Sequence, residues 1–312
     1  MNIYRALRMV IVSLLSAAVL LFAALYIVLS IPSVHDRIRH IGEDELSKLT
    51  GADVKIGRVT ISPFHDLVLQ DVFVPDLQGD SLLYVKELGA GISIYNLMMN
   101  RRVVFTYGEI LGMKGAIRRP DKQSPTNIQF LIDAFSSKDK KKPPTKFDIK
   151  IYNLVIRQSE LTYDVDSEPR HSGRFDANHI GVRNLRADVA LPRMKNNDFV
   201  VDVKRISFDE ISGVQVKNLA TIFDINDRHV ALKNTKIELA NSSLAIDSIG
   251  IALNGLNSLS QAIKEQPIAL RIDGARITPS DLAGFVPQLR ALDSPFELTL
   301  HATGNAQNVQ VD

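Results

Sequence analysis

The chain predicts a mainly β protein: an N-terminal transmembrane helix, then an elongated antiparallel β-sheet with one dry and one wet face, and a few short helices. Three observations predict it. Met9 to Ile31 is an unbroken apolar run with no charged side chain. Beyond it, segment after segment alternates apolar and polar residues with period two, as strands sheltered on one side do. Helical periodicity surfaces only in brief stretches.

The apolar run, MVIVSLLSAAVLLFAALYIVLSI, reaches roughly 35 Å as a helix at about 1.5 Å per residue. That exceeds a hydrocarbon core of about 30 Å and allows modest tilt. A secretory signal has an apolar region of about 7–15 residues that ends at an A-x-A-like site. Ala23 and Ala24 lie inside the run, not at a polar exit, so the reading is a retained, single-pass signal anchor over 9–31. Arg5 and Arg8 precede it; Arg37, Arg39 and Lys48 follow it, so local charge barely sets orientation. The tail, 1–8, is very short, and long domains translocate largely regardless of charge, which places the tail in the cytoplasm and the body outside. The absence of cysteine suits an exported domain.

Composition excludes some functions. The net charge of +2 gives no electrostatic footprint for nucleic acid, and the lack of Trp, with 6% aromatics, leaves little to stack on bases. The chain beyond the run is long enough for one large or two ordinary domains.

The elements follow in order. Ser33 to Leu49 reads as a short amphipathic helix, with Val34, Ile38, Ile41, Leu46 and Leu49 near helical spacing, Ser33 as N-cap and Gly51 as stop. From Ala52 the pattern changes to strands. Val54 and Ile56 alternate with polar neighbours, Gly57 intervenes, and Val59 and Ile61 resume on a shifted phase, which marks a bulge or bend. Strands continue through Leu67–Val74, Leu82–Leu88 and Arg102–Ile117, with turn chemistry at Asp76–Asp80. Tyr95–Asn100 reads as a helical turn. Asn127–Phe135 sets Ile128, Leu131, Ile132 and Phe135 on one helix face. Together these make a first region, 33–135. Lysine-rich, proline-containing 136–146 reads as a flexible linker. The second region, 147–312, is almost entirely short strands. One helix interrupts it over Leu282–Leu289, with Thr278 as N-cap, Pro279 at the first position and Asp281 in an acidic first turn. The alternation is still running at Val309–Val311, so the expectation is the front of a longer β structure, although no exact-period repeat is visible.

Reactive chemistry is hard to find. No P-loop, G-x-G-x-x-G, G-x-S-x-G or H-E-x-x-H pattern occurs. Gly89 and Gly91 lack a third glycine and a following helix and read as a turn. His171, Asp176 and His179 offer metal-ligand types, but a polar hairpin excursion accounts for them. His35, Asp36 and His40 read as a wet helix face. Asp164, Asp166 and Glu168 lack the glycine of a calcium loop. The chain is read as no enzyme, with no catalytic, cofactor-binding or metal residue assigned.

One resemblance is carried by an ordered set: the anchor, the short helix, TGADVKIGRVTISPF (50–64), LVLQDVFV (67–74), GDSLLYVKEL (79–88) and NIQFLIDAF (127–135). This order resembles the start of the AsmA-like family, most of all its translocation and assembly module (TamB-type) members. The resemblance implies an inner-membrane protein whose β-rich body forms an open, taco-like groove in the periplasm. Its implied partners are the lipid bilayer, phospholipid acyl chains and an Omp85-type outer-membrane barrel. Its implied role is phospholipid transport to the outer membrane, or protein assembly there. The lining positions in such a groove would be Phe147, Ile149, Ile151, Leu161, Tyr163, Phe199, Val201, Val203, Ile268, Leu270, Ile272, Phe296, Leu298 and Leu300. A membrane-anchored β-sandwich that binds without transporting makes the same alternation by packing sheet on sheet.

Overall fold

The computed structural model describes residues 31–61, 66–93, 96, 99–100, 103–136, 147–195, 198–255, 258–266, 268–305 and 309–311. The expected tail 1–8, the expected anchor 9–31 apart from Ile31, and the linker 137–146 lie outside them. Among the described residues no helix is long and apolar enough to cross a membrane.

Thirteen strands form one sheet in strict chain order: β1 Lys55–Ile61, β2 Asp66–Pro75, β3 Ser81–Ile92, β4 Val103–Arg119, β5 Phe147–Val165, β6 His179–Lys195, β7 Asp198–Glu210, β8 Gln215–Asn226, β9 His229–Glu238, β10 Ser243–Ala252, β11 Ile268–Ile277, β12 Phe296–Gly304 and β13 Val309–Val311. Helices α1 Pro32–Thr50, α2 Gln129–Ser136 and α3 Leu259–Glu265 accompany them. The sheet curls, as open sheets of more than about ten strands generally must. No second sheet packs against it among the described residues.

Four local expectations need correction. Gly89 and Gly91, expected in a turn, lie within β3, opposite Val68 and Asp66 of β2. The sheet is antiparallel except at β4–β5, which pair in parallel, Ile110 opposite Ile156 and Ile117 opposite Tyr163. Parallel neighbours need a crossover, and 120–146, carrying α2, supplies it. Ser33 is not the N-cap of α1: Ile31 is, with no side-chain bond, because Pro32 takes the first helical position. The expected helix over 282–289 is absent. The chain makes two 3₁₀ turns, Pro279–Leu282 and Pro287–Ala291, and Thr278 makes no side-chain cap. Pro287 removes a helical N–H and disfavours helix at the residue before it.

Other expectations stand. Gly51 ends α1 in the left-handed region, φ 77°. Asp76 Oδ1 closes the 76–80 turn by accepting from the N–H groups of Gln78 and Asp80. Asn96, Met99 and Asn100 of the expected turn are helical, and its other residues lie outside the described set.

Candidate functional site

Facing residues of neighbouring strands share a face, so the registers trace each row across the sheet. One row runs Val59–Leu69–Leu88–Ile110–Ile156–Ala187–Ile206–Leu219–Ile237–Leu244, from β1 to β10 without a polar residue. Parallel rows add Leu154, Val189 and Val203 on one side and Leu161 and Val182 on the other. The sheet therefore has one continuous apolar face.

Strands this long would lose that face if they twisted and bent without adjustment. The correction is a crease. Asp71, Gly112, Gln158, Asn184, Asn234 and Gly274 all have φ between 50° and 65°. Each lies at a skipped pair or a register shift, so together they draw a line across the strands. A left-handed residue inside a strand bends it and flips the side-chain phase. Residues of the apolar face accordingly sit three apart at the crease, not two: Ile56 and Val59, Leu69 and Val72, Ile110 and Met113, and Ile272 and Ala275, with the buried polar Ser159 and Thr235 taking the same place after Ile156 and Leu232. The phase shift at Gly57 is the first of these. A Cβ there would lie 2.9 Å from Asp71 Cβ, so only glycine fits opposite the bent residue.

What covers this face differs along the sheet. Over β1–β4, Ile38 and Leu46 of α1 and Leu131 of α2 pack on a core of Val54, Ile56, Val59, Val72, Val74 and Val85. Over β10–β12, Leu282 joins Ile272, Ala275 and Ile277, and α3 packs through Ala262 and Leu259 on Ile251 and Leu253. Between them lies an uncovered stretch. Ile156, Ile180, Leu185, Ile206, Phe208, Phe223, Ile225 and Leu232 are only half-buried, and no helix makes an extensive contact with β5–β9 among the described residues. The result is an apolar face packed at both flanks and uncovered between them.

The far end of the sheet, where β5, β7, β9 and β11 finish, is strapped. Segment 278–295 crosses the turns there. Asp281 accepts from the Asn241 N–H at 2.7 Å and from the Ser242 hydroxyl at 2.7 Å. Gly284 lies against Val214 and Ser212, its carbonyl accepts from the Phe175 N–H, and the Phe175 and Phe285 rings stand 5.1 Å apart. Behind Phe175, buried His179 holds the β5–β6 turn. Its Nδ1 is 2.9 Å from Asp164 and its Nε2 2.9 Å from the Glu168 carbonyl. The imidazolium form supplies a donor to each of these two acceptors, and the Asp164 contact raises the ring's pKa. His171 pairs with Asp176 instead, at 3.1 Å, and among the described residues no three such groups converge as a metal set.

The outer edge of β1 is capped where the strand begins. The Ile56 N–H donates to Glu43 Oε1 at 2.9 Å and the Val54 N–H to Ser47 Oγ at 3.0 Å. A cavity of about 710 Å³ beside the 76–80 turn and the start of α2 is lined largely by polar residues with partners nearby: Asp76 accepts within its own turn, Asn127 donates to the Ala116 carbonyl of β4, and Gln129 donates to Asp133 of α2.

Of the residues expected to line a groove, Ile151, Leu161, Tyr163, Phe199, Val201, Val203, Ile268, Leu270, Ile272, Phe296, Leu298 and Leu300 share the apolar face. The side chains of Phe147 and Ile149 lie outside the described set. Sequence reading missed Ile156, Leu185, Ile206, Phe223 and Leu232. The available signal was two successive polar positions inside an otherwise alternating strand, as in Arg157-Gln158 and Lys233-Asn234.

No family model matches the chain, nor does any curated protein or solved structure.

Proposed function

We propose that this chain is an AsmA-like, inner-membrane-anchored protein of the periplasm whose trough carries phospholipid acyl chains toward the outer membrane. One observation carries the reading: the apolar face is continuous from β1 to β10, yet it is covered only at its flanks among the described residues. Apolar floor left open to water invites an apolar guest, and each methylene sheltered contributes about 0.8 kcal/mol. Headgroups remain in water along the open side. The chain itself offers no nucleotide-binding motif, so movement follows a gradient or energy supplied by a partner, and an Omp85-type barrel is the partner this reading implies. Protein assembly by strand addition is less well supported, because α1 side chains occupy the Val54 and Ile56 N–H groups where the β1 edge begins.

Photo-crosslinking tests the proposal. A crosslinker at Ile156, Ile206 or Leu232 captures phospholipid, whereas one at the outward, exposed Arg157, Arg205 or Lys233 does not. Equal yields from both sets would sink it.

A further inference from the structure

The face opposite the apolar one gathers arginines at the crease. Strands β5, β6 and β7 lie side by side, with Ile156, Ala187 and Ile206 in line on the apolar face. Their chain neighbours Arg157, Arg186 and Arg205 therefore fall on the other face, and all three are exposed. Irregular register brings them together. Between the pairs Ile156–Ala187 and Ser159–Leu185, β5 has two residues, Arg157 and Gln158, against the single Arg186 of β6. Between the pairs Asp188–Arg205 and Val189–Val203, β7 has one extra residue, Lys204, which is also exposed. The three arginines, with Gln158 and Asp188, line one cavity of about 300 Å³.

The charges there do not balance one another. Arg157 pairs with Glu109 at 3.1 Å. Neither Arg186 nor Arg205 makes an ion pair among the described residues, although Asp188 stands directly opposite Arg205. Elsewhere in the sheet acids and bases meet: Asp224 takes both Arg193 and Lys233, at 3.2 and 2.7 Å. Like charges facing each other across two strands destabilise a sheet, so Arg157 beside Arg186 is a strain that an anion between them relieves. With Lys204 and Glu109 counted beside the lining, four positive charges meet two negative ones, a surplus of two. A guanidinium presents its donors as a rigid fork that matches an oxyanion. A phosphate monoester has three terminal acceptor oxygens and about −1.5 to −2 charge at neutral pH. A carboxylate has two oxygens and one charge, and so does the phosphodiester of a common phospholipid headgroup.

We infer that Arg157, Arg186 and Arg205 form a binding site for a phosphate monoester, three guanidinium groups serving three terminal oxygens. The site lies on the face opposite the proposed lipid path and stands or falls separately from it. A soluble glycerol or sugar phosphate and the headgroup of phosphatidic acid carry the same chemistry, and the test separates the two sources.

Isothermal titration calorimetry of the full chain in micelles of an uncharged detergent reads the site directly. Glycerol 3-phosphate is expected to bind one to one, and more tightly than dimethyl phosphate or acetate. Arg186→Gln and Arg205→Gln each weaken it about tenfold or more, the loss expected for a hydrogen bond to a charged group. Lys236→Gln, an exposed cation of β9 outside the cavity, leaves it unchanged. The substituted side chains are exposed, so circular dichroism and melting temperature stay at wild-type values. No binding by the wild-type chain, glutamine variants at 186 and 205 that bind as it does, equal weakening by Lys236→Gln, or acetate bound as tightly as the phosphate overturns the inference. Phosphatidic acid is then added to the same micelles. Displacement of glycerol 3-phosphate, lost in Arg186→Gln, supports the site with a lipid-borne ester; retention of glycerol 3-phosphate supports it with a soluble one.

Discussion

Glu43 Oε1 lies 2.9 Å from the backbone nitrogen of Ile56, with the Arg39 guanidinium 3.1 Å from the same carboxylate. This contact gives the outermost strand an acceptor that water or another chain would otherwise supply. Uncovered strand edges recruit further strands. Glu43→Ala should therefore cost about 1–3 kcal/mol in a urea melt, the range for stranding a hydrogen-bonded group. It should also produce concentration-dependent association in sedimentation velocity. Glu43→Gln, which keeps an acceptor, should lose less and stay monodisperse. An alanine variant with unchanged stability and no self-association would show that the β1 edge needs no cover.

His179 ties stability to pH. Its imidazolium donates to Asp164 and to the Glu168 carbonyl; Arg170 shares Asp164, Lys122 pairs with the Glu168 carboxylate, and Asp176 and His171 stand nearby. The Asp164 contact raises the folded pKa above the ordinary value of about 6.5. The sign follows from linkage. The contribution is complete below the unfolded pKa and disappears as pH rises through the raised folded value. The melting temperature should thus decline from mildly acidic to mildly alkaline pH, and His179→Gln should flatten that decline. Asp176, whose pKa is lowered first by the Asn178 N–H, acts in the opposite sense at acid pH. A decline of equal size in the variant would assign it to other groups.

Much of this architecture is legible in the residues. Alternation alone places Leu161, Tyr163, Val201 and Leu298 on strands, and Gly57 announces the first bend. The path of the crease is not legible, because Gln158, Asn184 and Asn234 are ordinary polar strand residues until their neighbours impose a positive φ. The parallel β4–β5 joint is hidden too, since register between strands separated by a crossover is set by packing that local pattern does not encode. Thr278-Pro279-Ser280-Asp281 reads as a helix start, but Asp281 is taken by Asn241 and Ser242 of a turn nearly forty positions away in the chain. Tertiary contact outweighs local propensity there. The uncovered stretch follows the same logic. Periodicity says which face is apolar; only the position of α1, α2 and α3 says where that face is left open.

Thr221 and Thr235 interrupt the apolar face as a matched pair. Their hydroxyl oxygens are 2.8 Å apart and both side chains are buried. A single Thr→Val change leaves one buried hydroxyl without its partner, so either Thr221→Val or Thr235→Val should cost about 1–2 kcal/mol. The double variant should recover most of the loss, because two methyl groups of matching shape then meet. A double-mutant cycle by chemical denaturation measures this. Additive losses would mean that the hydroxyls act independently.

Phe223 and Leu232 face each other across β8 and β9 on the uncovered floor, whereas Val59 sits under α1 and α2 at 2% exposure. The same chemical insult should therefore have different consequences at the two places. A carboxylate at Val59 is trapped without water or a partner, and Val59→Asp should cost more than about 4 kcal/mol and prevent folding at ordinary temperature. At Phe223 the open face lets water follow the charge, so Phe223→Asp should lose mainly side-chain contact, about 1–3 kcal/mol, and keep its β-sheet circular dichroism. Its effect should appear instead in lipid capture, because a hydrated carboxylate in mid-floor breaks the continuous apolar path that an acyl chain needs. The discriminating result is a folded Phe223→Asp protein in which the crosslinker at Ile156 no longer yields lipid adducts. If both substitutions unfold the chain alike, the floor is a packed interior and the trough is not the working surface. If Phe223→Asp folds and still captures lipid at full yield, the acyl chain does not run along this face.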